Sequence, residues 1–240
     1  MSPSFTLVEM LVVLGIIGII AAIAVPLIPS LLKANVVNQN VATLSGILEQ
    51  ARETAISGNT YVWVAFYNPP ATSPRSGTWV ATFDSVDGTD PISPNQNGWS
   101  NTLTVPGPIG STSLQLVSKL QNLSGAQITN SGALPDGLTT LATNAGITNP
   151  ASPFQPTPTT PTAWTVTPLQ NTDGYSSTSP YTIYVIEFTP DGEAHTQPVT
   201  PGQWYGDIAF GMVPSVGAST NDDVLMNLSR LTGRVTVFRP

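Results

Sequence analysis

Few side chains in this sequence are placed to do chemistry. Glu9 heads an uncharged run: from Met10 to Leu32 no side chain carries a charge, and Lys33 is the first to break the pattern. A carboxylate set in or against lipid costs on the order of 2.5–3.5 kcal/mol on insertion scales, so Glu9 calls for a cationic partner. Asp84, Asp87 and Asp90, in FDSVDGTDP, offer the oxygen ligands that calcium takes in sixes to eights. Their spacing is not that of an EF-hand and Asp-Gly is a turn dipeptide, so turn chemistry is the expectation. His195 is the single histidine and lies near Asp191. No Gly-x-Ser-x-Gly elbow accompanies it, so it reads as an exposed loop histidine rather than part of a hydrolase triad, and a lone histidine is a poor start for a zinc site. Arg230, Arg234 and Arg239 put three of the seven basic residues into the last 11. That strip is either a weak nucleic-acid contact or the charge that keeps a terminal strand soluble.

Composition narrows the classes further. Seven Lys and Arg against 14 Asp and Glu leave a net charge of −7, which argues against broad polyanion binding, duplex DNA included. Only 9% of residues are charged. A surface of Thr, Ser, Asn, Gly and Pro is common outside the cytoplasm. Cysteine is absent, which removes disulfides, thiolate ligands and thiol nucleophiles and leaves stability to packing.

The elements that must position these residues begin with the uncharged run. Its 23 residues suffice as a helix to cross a hydrocarbon layer, which takes roughly 20 at ~1.5 Å each. An ordinary cleaved secretory signal is the competing reading, but the run is too long for one and lacks a basic region before it. Beyond Lys33, Val37, Val41, Leu44, Leu48, Ala51 and Ala55 recur at helical spacing, with Asn38, Gln39, Thr43, Glu49, Gln50 and Glu53 opposite. Gly58-Asn59 is a stop signal. A helix of roughly 80 Å over Phe5–Ser57 is therefore predicted, weakened at Gly15 and Gly18 and kinked at Pro26 and Pro29.

After Gly58 the chain reads as short strands. Thr60–Tyr67, Thr78–Phe83, Ser113–Val117, Tyr181–Thr189, Asp207–Phe210, Val224–Leu228 and Arg234–Phe238 are β-branched or aromatic runs between turn residues. Trp63 and Trp79 lie inside such runs and are expected in the core. Trp99, Trp164 and Trp204 are open between core and an aromatic binding platform. Pro150–Pro180 holds seven prolines and eight threonines, a composition for an extended loop around a short strand at Ala163–Thr167, or for a glycosylated segment. The fold class expected is α+β: one long N-terminal helix packed on a mainly antiparallel β head over residues 59–240.

The front of the chain, FTLVEMLVVLGIIGIIAAIAV from Phe5 to Val25 followed by Pro26, resembles the signal of type IV pilins and type II secretion pseudopilins. The resemblance implies a leader of residues 1–4, cut by a prepilin peptidase between Ser4 and Phe5, and N-methylation of Phe5. Residues 5–32 would be the membrane and filament-core helix, with 33–58 packed on the head. Ser4 stands where the family usually has Gly, and the leader carries no Lys or Arg. A second resemblance lies outside the run. Leu48, Ala51-Arg52, Ala55-Ile56 and Gly58, leading into Tyr61-Val62-Trp63-Val64, are similar to the helix end of H-type minor pseudopilins and FimT-like minor pilins. Glu187–Ala194 and Leu231–Val237 resemble their strand-turn and closing-strand elements. Residues 69–180 are unmatched.

These resemblances imply a non-enzymatic filament subunit with no cofactor, held in the bacterial inner membrane with its head outside. Its partners would be other pilins or pseudopilins, the peptidase, the assembly platform and lipid. Glu9 would pair with the amino group of Phe5 in a neighbouring copy. A major subunit, a FimT-like DNA-uptake pilin and a membrane-anchored hydrolase or binding protein are the alternatives.

Overall fold

The computed structural model describes residues 6–24, 28–69, 77–90, 104–105, 114–129, 136–144, 165–166, 183–196, 207–215 and 223–239. Ser4, Phe5, Pro26, the three remaining tryptophans and most of Pro150–Pro180 lie outside them. The chain divides into two units, 1–35 and 36–240, each described by itself.

Within the span Phe5–Ser57, where one helix is expected, the described residues form α1 (Leu7–Ala24) and α2 (Ile28–Gly58); residues 25–27 between them, Pro26 included, lie outside the described residues. Gly15 and Gly18 do not interrupt α1, and Pro29 falls in the first turn of α2, where its missing N–H has no intrahelical partner to lose. Among the described residues no helix is long and apolar enough to cross a membrane. α1 has 18 residues, about 27 Å against a hydrocarbon core of about 30 Å.

The second unit is α+β. Its strands are β1 (Val62–Tyr67), β2 (Gly77–Ser85), β3 (Thr104–Val105), β4 (Leu114–Leu116), β5 (Gln121–Ser124) and β6 (Ala126–Thr129), then, after α3 (Asp136–Asn144), β7 (Thr165–Val166), β8 (Ile183–Phe188), β9 (Ala194–His195), β10 (Ile208–Pro214), β11 (Val224–Leu228) and β12 (Val235–Phe238). One sheet runs β4-β2-β1-β8-β9, with β5 sharing the outer edge of β2 beside β4. The other runs β12-β11-β10-β6. Every pairing in both is antiparallel, and β3 with β7 forms a separate parallel pair.

Both sheets pack on the apolar stripe of α2. Val37, Val41, Leu44, Ile47, Leu48, Ala51 and Ala55 are buried against Val62, Val64 and Phe66 of β1, Ile186 and Phe188 of β8, and Phe210, Met212 and Met226 of the second sheet. Gln39, Thr43, Glu49, Gln50 and Glu53 face water, as the spacing predicts. Strand alternation then builds a second layer on the far face of the larger sheet: Trp63, Ala65 and Tyr67 with Phe83, Leu114 and Val185, joined by Trp79. α3, which the sequence reading missed, covers the far face of the smaller sheet with Leu138 and Ala142 on Ala209 and Leu225.

Two devices join the sheets. Gly125, between β5 and β6, takes φ +79° and passes the chain from one sheet to the other; a Cβ there would stand 2.8 Å from Val36 Cγ1. Beneath it Asn68 Nδ2 donates to Ile128 O at 2.7 Å, while Thr78 Oγ1 accepts from Ile128 N at 3.0 Å and donates to Asn68 Oδ1 at 2.5 Å. α2 stops where Gly58-Asn59 predicts. Asn59 takes φ +47°, Thr60 N donates to Ala55 O at 3.0 Å and Asn59 N to Ile56 O at 3.3 Å, the two bonds of a Schellman cap.

Candidate functional site

α1 is apolar over its whole circumference. Every large side chain from Leu7 to Ile20 is exposed, from 45% at Val13 to 81% at Leu7. Eleven such residues between Leu7 and Ile20, interrupted only by Glu9, Gly15 and Gly18, form a patch far beyond the few hundred Å² that soluble monomers commonly leave open. At its head stands Glu9, in a capping box. Thr6 N and Oγ1 donate to Glu9 Oε2 at 3.4 and 3.3 Å, and Glu9 N donates to Thr6 Oγ1 at 3.3 Å. Thr6-x-x-Glu9 is the sequence form of that box, and it satisfies helix-start donors without any second chain.

The other candidates fall apart in space. Asp87 Oδ1 accepts from Ser85 Oγ at 2.9 Å, Thr89 N at 3.0 Å and Thr89 Oγ1 at 2.7 Å, the turn chemistry expected of Asp-Gly. Asp84 Oδ2 instead accepts from Gln115 Nε2 at 3.2 Å. Asp84 and Asp87 line an open cleft of about 390 Å³ beside the α2 cap, and among the described residues no group of His, Asp and Glu is arranged to hold a metal ion. The three arginines do not form one strip. Arg230 is buried, with its Nη2 donating to Thr196 Oγ1 at 3.0 Å, Arg234 is exposed, and Arg239 Nη1 donates to Asn38 Oδ1 on α2 at 2.5 Å.

His195 is not an exposed loop residue. It lies on β9 with its side chain 12% exposed, between two carboxylates: Nε2 is 3.2 Å from Glu193 Oε2 and Nδ1 is 3.7 Å from Glu187 Oε2. The register explains the meeting. Phe83, Trp63, Glu187 and His195 stand in one row across β2, β1, β8 and β9, so Glu187 is flanked by Trp63 and His195 on a face that is otherwise apolar. It is 3% exposed. Burial pushes its carboxyl above the usual range, the nearby Asp90 adds to the rise, and His195 and the Trp63 indole N–H oppose it. Tyr61, stacked on Trp63 with centroids 6.1 Å apart, is also held above the ordinary phenol value, by burial first and then by Glu187, Asp90 and Asp191. The sequence carried a signal for this site: Glu187 interrupts the run Ile183-Tyr-Val-Ile-Glu-Phe, and a strand apolar at consecutive positions is buried on both faces, its acid included.

The three segments that carried the second resemblance converge in the fold. Gly192 (φ +82°), in the turn between β8 and β9, lies against Ile56 and Arg52 of α2, since a Cβ there would be 2.8 Å from Ile56 Cδ1 and 3.4 Å from Arg52 Nε. Gly233 (φ +60°), between β11 and β12, is closer still: a Cβ would meet Gly192 O at 2.5 Å and Arg52 Cδ at 2.7 Å. Compared with protein-family models, characterised proteins and solved structures, the chain matches none.

Proposed function

We propose that the chain is a structural, non-enzymatic subunit of a type IV pilus or type II secretion pseudopilus, most like the H-type minor class. The observation that carries this reading is α1, a helix with no polar face, exposed along its length and headed by a single acid. Such a helix is stable only when lipid or other copies of itself cover it. The uncharged run continues in sequence to Leu32, long enough for an anchor before assembly, with the head outside the cytoplasm. Leu7, Val8, Leu11, Val12, Ile16, Ile19 and Ile20 supply the cohesion between packed helices. The junction of Arg52, Gly192 and Gly233 supports the minor-subunit reading, because it gives the resembling segments one shared role: seating the end of α2 on both sheets.

In this reading Glu9 leaves its cap to pair with the amino group of Phe5 in a neighbouring copy. The capping box supports a second, purely local role, and one substitution separates the two. Glu9→Gln keeps the box, which accepts Gln as well as Glu, but removes the charge. Loss of incorporation into sheared filaments supports register through charge; wild-type incorporation leaves Glu9 as a cap only. Mass spectrometry of the mature N-terminus tests the larger claim: the expected mass lacks Met1–Ser4 and carries one methyl group on Phe5. An intact leader on protein that never polymerises overturns it.

A further inference from the structure

The row of Trp63, Glu187 and His195 lies in the head and is not used by the filament reading. It joins a buried acid to the hairpin that seats α2. The hairpin is thinly held: β9 is two residues long, and the turn is closed by Thr189 N to Glu193 O at 3.0 Å, Gly192 N to Thr189 O at 2.8 Å and Ala194 N to Arg230 O at 2.8 Å. Glu187 and His195 face each other across β8 and β9, and Glu193 closes on His195 from the turn.

We propose that Glu187, buried on β8 directly opposite His195 of β9, acts as an acid latch that keeps the β8–β9 hairpin closed at acid pH and loosens it as pH rises. A neutral Glu187 carboxyl beside Trp63 is tolerable in an apolar layer. Removing its proton leaves a carboxylate buried in that layer. The charged groups around Glu187 do not compensate. Tyr61 before β1, Asp90 after β2, and Asp191 and Glu193 in the turn are acids. The two cations of the neighbouring elements are directed elsewhere, Arg52 of α2 towards the Gly192 and Gly233 turns and the Arg230 guanidinium towards Thr196.

A carboxyl whose folded value is raised contributes stability that is complete below its ordinary value of 4.5 and is lost as pH climbs through the folded value. The hairpin is therefore tightest in acid. Because its turn touches Ile56 and Arg52, loosening it frees the end of α2 from the sheets.

Amide hydrogen exchange on the full chain in detergent micelles, corrected for the intrinsic pH dependence of exchange, tests the latch. As pH is raised above the ordinary carboxyl value of 4.5, the protection of the Thr189–Ala194 amides is expected to fall on the order of tenfold, while β10 and β11 keep theirs. Glu187→Gln should flatten the hairpin profile. His195→Gln, at a less buried position, should move the loss of protection to higher pH, because the imidazole no longer helps Glu187 to ionise. A flat or rising wild-type profile overturns the proposal. So does a parallel loss in β10 and β11, or a Glu187→Gln profile like that of the wild type.

Discussion

The stripe of α2 and the surface of α1 are built from the same residues and do opposite things. On α2, Leu44, Leu48 and Val37 are within 1% of complete burial, each held by strands that lie far away in sequence. On α1, Leu7, Leu11 and Leu14 are exposed by 65% or more, and the side-chain bonds at its head are local, three residues apart. A leucine does not declare whether it serves folding or association. What distinguishes the two is whether the opposite face of its helix is polar. α2 sets Gln39, Glu49 and Glu53 against its stripe and folds onto its own sheets, whereas α1 has nothing polar to turn outward.

Two leucines, one on each helix, should behave oppositely. Leu48→Ala should destabilise the head by about 2–5 kcal/mol, lowering its melting temperature by roughly 5–15 °C, because a fully buried side chain leaves a cavity between α2 and the sheets. Leu11→Ala should leave the melt unchanged and weaken only filament formation. If the α1 variant instead unfolded the head, the division of labour would fail. A glycine pair sharpens the same point within the head. Gly233→Ala puts a methyl 2.5 Å from Gly192 O at φ +60° and should cost about 2–4 kcal/mol in a denaturant titration. Gly88→Ala, at φ +73° with its nearest neighbour 3.7 Å away, should cost only the backbone strain, about 1–2 kcal/mol. The smallest effect belongs to the cap of α2. Asn59→Gly relieves a left-handed non-glycine residue and should change head stability by less than about 1 kcal/mol, in the stabilising direction, by the same titration.

Much of this was legible beforehand where a local rule governs. The α2 stripe, its stop at Asn59, seven strand cores and the Asp87 turn follow from periodicity and turn chemistry. β5 and β6 were not legible, because Gln121–Thr129 is polar and carries a glycine. Its strands exist only because β2 and β10 present edges on either side of Gly125. The Arg230–Arg234–Arg239 strip dissolved for a related reason: a hairpin turn buries one of the three and leaves another exposed. His195 was misjudged because its neighbour Glu187 is eight positions away in sequence but directly opposite in register.

Which segments are apolar, on how many faces, and where helices and strands must stop depends on residues within a turn or two of one another, and the order of the amino acids is enough to set them. Folding alone brings particular acids and cations together and puts a buried carboxyl, a histidine and the end of α2 at one hairpin. Those meetings depend on strand register, and register is fixed by the packing of both sheets on α2 rather than by any neighbour along the chain.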